Sequence, residues 1–151
     1  MKILPIVFAI LVSVSLAQAN VGENQAAIEK RYGKSSSERV LDDHQIHRTY
    51  SSKGLKIIVI FLDGVSQAET YGKENNSQLS ESEITALLDK NSRGEKWIEA
   101  KHPDLSEKMW KLGDEVMVAG YNETDKKLYL FTRAMTEHNK KQKAQDAGKT
   151  K

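Results

Sequence analysis

The sequence predicts an α+β domain: two short helices packed on an antiparallel sheet of about six strands. Three observations predict it. Residues 55–62, LKIIVIFL, are a β-branched run closed by Asp63-Gly64, a pair that accepts the positive φ angles of a tight hairpin. Residues 79–88 carry a full helix-start pattern ahead of an apolar stripe. The order helix, loop, three strands then occurs twice along the chain.

In chain order, residues 1–19 come first. Lys2 is followed by an apolar stretch and by Ala17-Gln18-Ala19, with small residues at the −3 and −1 positions of a peptidase site. That pattern reads as a cleavable secretory leader, shorter than the roughly 20 apolar residues a membrane span needs. Residues 20–136 are expected to form one α+β domain, and residues 137–151 a basic flexible tail with five lysines against Glu137 and Asp146. Without its first 19 residues the chain has 22 basic and 21 acidic residues, which removes the basic excess of a nucleic-acid binder. It contains no cysteine, which excludes disulfide staples, thiol catalysis and cysteine-ligated metal in the chain as given. No transmembrane anchor and no cofactor are expected.

Residues 23–32 read as a helix, with Ala27, Ile28 and Tyr32 along one side and Gly33 as the stop. Residues 34–44 are polar and read as loop, residues 46–51 as a strand. Leu55–Leu62 is the clearest strand, and residues 65–71 would return from the Asp63-Gly64 turn. In the second half Ser80 and Glu83 make a capping box, Leu79 and Ile84 a hydrophobic staple, and Ile84, Leu87 and Leu88 the buried stripe. Trp97 and Ile98 fall in a connecting stretch interrupted by Pro103. Strands are expected at 108–112, 115–121 and 127–134. A shift of sixty residues carries Ile57, Val59 and Phe61 onto Met117, Ala119 and Tyr121, and Tyr50 onto Trp110. Matching apolar parity is what a duplicated α-β-β-β unit, here residues 23–73 and 80–135, would leave behind. Few identities survive the shift, and two unrelated α+β halves can also be slid into some agreement.

A helix with a β meander, given twice in an exported chain, resembles the β-lactamase-inhibitor proteins and the small SmpA/OmlA envelope proteins. The likeness spans most of residues 20–136 and rests on element order, so it carries over no functional residue. It implies a bacterial periplasmic or extracellular protein. The chain departs from both families: the inhibitors are disulfide-bonded and the envelope proteins typically lipid-anchored, and it has no cysteine for either.

The densest group of potential metal ligands is Asp42-Asp43-His44-Gln45-Ile46-His47, with His44, His47 and Asp43 as the candidates. On a strand, residues three apart fall on opposite faces, and a polar loop leading into an edge strand explains the same letters. No G-x-S-x-G elbow, no complete S-x-x-K constellation and no phosphate loop is present. Glu81 with Glu83, or Asp63 with Glu69, could be posed as acid–base pairs, although a helix start and a turn explain most of them.

Tyr50, Trp97 and Trp110 are candidate binding aromatics, against the simpler reading that strand aromatics are core. Along 55–62 one parity gives Leu55, Ile57, Val59 and Phe61, and the other Lys56, Ile58, Ile60 and Leu62. Both faces are apolar where a half-exposed strand should alternate. Ile58 and Ile60 are therefore candidates to meet a partner protein, a small ligand or a second copy of the chain, unless loops and the 92–107 connection cover them. The expected function is non-enzymatic binding in the envelope. The alternative is a small metal-dependent or hydrolytic enzyme using His44, His47 and nearby carboxylates.

Overall fold

Eight strands form one antiparallel sheet in the order β1-β2-β3-β4-β8-β7-β6-β5 in the computed structural model, which describes residues 21–41, 44–101, 108–113 and 116–149. Helix α1 (Gln25–Tyr32) precedes β1 (Ser37–Val40), β2 (Gln45–Ser52), β3 (Leu55–Leu62) and β4 (Val65–Lys73). Helix α2 (Glu81–Lys90) precedes β5 (Trp97–Ala100), β6 (Lys108–Leu112), β7 (Met117–Asn122) and β8 (Lys127–Thr132), and α3 (Arg133–Lys149) follows. Two four-stranded meanders thus meet along an antiparallel seam, where Ala68 lies opposite Phe131 and Tyr71 opposite Leu128. The strand order reads outward from that seam as β4-β3-β2-β1 on one side and β8-β7-β6-β5 on the other. A shift of sixty residues carries Ser37–Val40 onto Trp97–Ala100 and β3 onto β7 to within two residues at its start.

Local chemistry explains the best-formed elements. Asn24 caps α1 by accepting from the Ala27 amide at 3.0 Å. Ser80 and Glu83 close the reciprocal capping box of α2. The Glu83 carboxyl is held down at about 2, first by the Ser80 backbone amide and then by Lys73 and the Ser80 hydroxyl. The β3–β4 turn places Asp63 and Gly64 at φ 52° and 78°, the double positive φ that twists in the same sense as the strands it joins.

Both helices pack on one face of the sheet. Ile28 and Tyr32 of α1 and Ile84, Leu87 and Leu88 of α2 share a core with Tyr50, Ile57, Val59, Phe61, Tyr71, Leu112, Met117, Ala119, Tyr121, Leu128 and Leu130. The three β3 residues there are 1, 0 and 2 % exposed, which places the whole of each side chain out of water, worth about 1.5–3 kcal/mol apiece. Their neighbours Ile58, Ile60 and Leu62 point the other way and remain half-buried.

Among the described residues there are three helices where the sequence pattern gave two, and eight strands where it gave about six. The added strands are β1, within the stretch read as loop, and β5, within the stretch read as a connection. Both are four-residue sheet edges: every residue of β1 is exposed, and β5 is half-buried only at its ends. An edge pairs on one side and buries little, so it imposes no apolar alternation on its sequence. Residues 133–149, without apolar periodicity, are helical, and Met135 alone anchors the first turn as a buried apolar residue. Among the described residues no helix is long and apolar enough to cross a membrane.

Candidate binding face

The face of the sheet opposite α1 and α2 carries Ile58 and Ile60 from β3, Thr70 and Gly72 from β4, and Tyr129 and Phe131 from β8. Val118 and Gly120 of β7 and Met109 of β6 continue it. Strand alternation puts them there, because each is one residue out of step with a core residue. Helix α3 touches β4 and β8, but none of its residues lines the two depressions on this face.

One depression, of about 120 Å³, is walled by Lys56, Lys73, Lys126 and Lys127, with Ile58, Thr70, Gly72, Asn76 and Asp125. The second, about 310 Å³, is apolar: Met109, Val118, Gly120, Tyr129 and Phe131 line it, with Asn122 and Asp125 at the rim. Asp125 belongs to both and accepts a hydrogen bond from the Tyr129 hydroxyl, so the two bays adjoin at this pair. Two glycines open them. A Cβ at Gly72 would stand 3.3 Å from Lys127 Cγ, so glycine is what allows the lysine stem to cross β4. Gly120 lies opposite Tyr129 in the ladder, and a Cβ there would approach only the Lys108 carbonyl, at 3.9 Å. The Tyr129 and Phe131 rings run parallel at 6.1 Å between centroids, tilted by 6°.

Of the candidate aromatics, Trp97 and Trp110 come together and Tyr50 does not. The two tryptophans line a groove beside α2 on the helix-covered side, with Thr85, Leu88, Asp89 and Gly94. Both are partly buried against the core, and the Trp97 indole donates to the Leu88 carbonyl at 2.7 Å, so its one donor already serves the joint between α2 and β5. Tyr50, a candidate binding aromatic, is instead core. It is fully buried in β2, five strands from β6, with its ring 5.8 Å from that of Tyr32. Tyrosine on a strand under a helix buries its ring first.

His44 precedes β2 and is exposed at φ 64°, while His47 within β2 lies 3.1 Å from the Gln45 amide oxygen. Asp43 lies outside the described residues. Among the described residues no three His, Cys, Asp or Glu side chains group as metal ligands. The posed acid–base pairs separate as well. Glu81 pairs with Lys108 at 2.6 Å and Glu83 with Lys73 at 2.9 Å, whereas Asp63 sits in an exposed turn and Glu69 in the core.

Glu69 was posed by sequence reasoning only as a partner of Asp63, and its burial was missed. It is wholly buried in β4, and its Oε2 accepts from Tyr32 Oη at 3.0 Å and from Tyr71 Oη. Asn91 Nδ2 reaches Tyr71 Oη at 3.2 Å, so one network ties α1, β4 and the end of α2. Oε1 has no hydrogen-bond partner among the described residues. Burial pushes the Glu69 carboxyl up, against the opposing pull of the two tyrosine hydroxyls, Arg31 and Lys90. It lines none of the depressions described, so the geometry gives it a tying role between the helices and the sheet.

No family model and no curated protein matches the chain. Among solved structures, the crystal structure of a cysteine-rich secretory protein from Staphylococcus aureus is similar over 76 % of this chain and 45 % of that one, at 12 % identity and a TM-score of 0.47. The chain thus spans less than half the length of that protein, and a likeness at this level carries no functional argument.

Proposed function

We propose that this chain is an exported, non-enzymatic binding protein of the bacterial periplasm or exterior, and that the sheet face opposite α1 and α2 takes up its partner or ligand. The observation that carries the reading is the run of half-buried apolar side chains there, Ile58, Ile60, Val118, Tyr129 and Phe131, around two adjoining bays. Ala68 is buried at the seam on this face and α3 touches β4 and β8, but no α3 residue lines the two bays. Apolar side chains left half-buried around open bays mark an interaction surface. The apolar bay lies at the lower end of the roughly 300–1,000 Å³ of small-molecule sites. Export is supported by Lys2, the apolar stretch and Ala17-Gln18-Ala19. The hydrolytic alternative lacks a convergent site: neither His44 nor His47 lines any of the depressions described.

A Nile red titration tests this reading, because the dye is neutral and reports any accessible apolar face. Saturable, blue-shifted emission is expected, lost in Val118→Glu/Phe131→Glu while circular dichroism shows the fold retained. Emission that never saturates, or that survives the double substitution, contradicts it. Sedimentation of the same two proteins reads whether a second copy occupies the face.

A further inference from the structure

Resting on that reading, we propose that the ligand class is a single-chain amphiphile with an anionic head, the head in the lysine bay and the chain along Tyr129 and Phe131. Lys56 from β3, Lys73 from the end of β4, Lys126 from the β7–β8 turn and Lys127 from the start of β8 converge on one depression. They come from three separate stretches of the chain, so local composition did not gather them. Lys73 is engaged by Glu83, but Lys56, Lys126 and Lys127 form no ion pair among the described residues. The one carboxylate in the bay, Asp125, is turned to the Tyr129 hydroxyl. Three ammonium groups around one bay favour an anion there, by an amount that salt screens.

The neighbouring bay supplies the second half of the recognition. Its lining of Met109, Val118, Tyr129 and Phe131 offers an adaptable thioether and two parallel rings to an alkyl chain. Asp125 lines both bays but the lysines line only one, so the charge pattern fixes direction: head over Gly72 and Lys127, chain over Gly120. A free anion would leave the apolar bay unused. A neutral amphiphile would leave the ammonium groups unused.

Isothermal titration calorimetry of the purified protein with decyl phosphate, decyl maltoside and inorganic phosphate, each below micelle formation, tests this. Decyl phosphate should bind saturably and about tenfold or more tighter than decyl maltoside, with no saturable heat from phosphate alone. Lys56→Glu/Lys127→Glu should weaken decyl phosphate by about tenfold or more and leave decyl maltoside unchanged, a split that misfolding would not produce. Equal affinity for the two heads, unchanged affinity in the double variant, or phosphate alone binding as tightly overturns the proposal. If decyl phosphate fails while Nile red still saturates, the face remains the binding surface and the ligand class is wrong. If both fail, both readings fall.

Discussion

Ile57 and Ile58 are neighbours in the chain and belong to two different environments. Ile57 is 1 % exposed beneath the helices, whereas Ile58 stays half-buried at the wall of a lysine-lined bay. The same contrast runs along the whole strand and across the seam into β7 and β8, where Met117, Ala119, Leu128 and Leu130 face the helices and Val118, Tyr129 and Phe131 do not. One face of the sheet is spent on folding, whereas the other is buried only at the β4 seam, at Ala68 and Thr70, and is half-buried to either side of it. Away from Ala68 the apolar residues of that face stay half-buried, so their retention has to be explained by what they contact.

Substitutions should separate the two faces, and the largest effect belongs to the covered one. Ile57→Ala should destabilise by about 2–5 kcal/mol in chemical denaturation, because it removes a fully buried side chain and leaves a cavity beneath the helices. Ile58→Ala should cost about 1 kcal/mol or less by the same measurement. Equal losses would mean that both faces are core.

Glu69 sharpens the contrast from within the covered face. Its carboxyl is raised on folding, so the folded state holds its proton more tightly than the unfolded chain does. The resulting stability is fully present below the unfolded value and is lost as pH rises through the raised folded value. Glu69→Gln removes this dependence while keeping an acceptor for Tyr32 and Tyr71. Denaturation of both proteins across pH 4–9 should show wild type losing ground to Glu69→Gln as pH rises, on the order of 1–3 kcal/mol. A constant difference across that range would contradict the assignment. Ser80→Ala should have a smaller effect, about 1 kcal/mol, with α2 fraying at its start in hydrogen exchange and the open face untouched.

What the sequence made legible was local. The capping box of α2, the Asp63-Gly64 turn and the double-sided apolar run of β3 each state their structure within ten residues. The exposed edges β1 and β5 did not, since strands that bury almost nothing leave no pattern. Glu69 was illegible for the opposite reason. A carboxylate between Ala68 and Thr70 reads as solvent-facing, and only Tyr32 and Tyr71, supplied by the fold, make its burial tolerable. The open face was half legible: alternation singled out Ile58 and Ile60, but nothing local brings Lys56 to Lys126 and Lys127 across β4. Tyr50, Trp97 and Trp110 drew attention by residue type, yet they serve the core and the α2 joint.

The division between the two faces is tested most directly by isoleucine-methyl NMR during a decyl phosphate titration. Progressive shifts of the Ile58 methyls are expected, while those of Ile57 and of Ile84 in α2 stay in place. Shifts led by Ile84, or spread evenly over both faces of β3, would contradict that division.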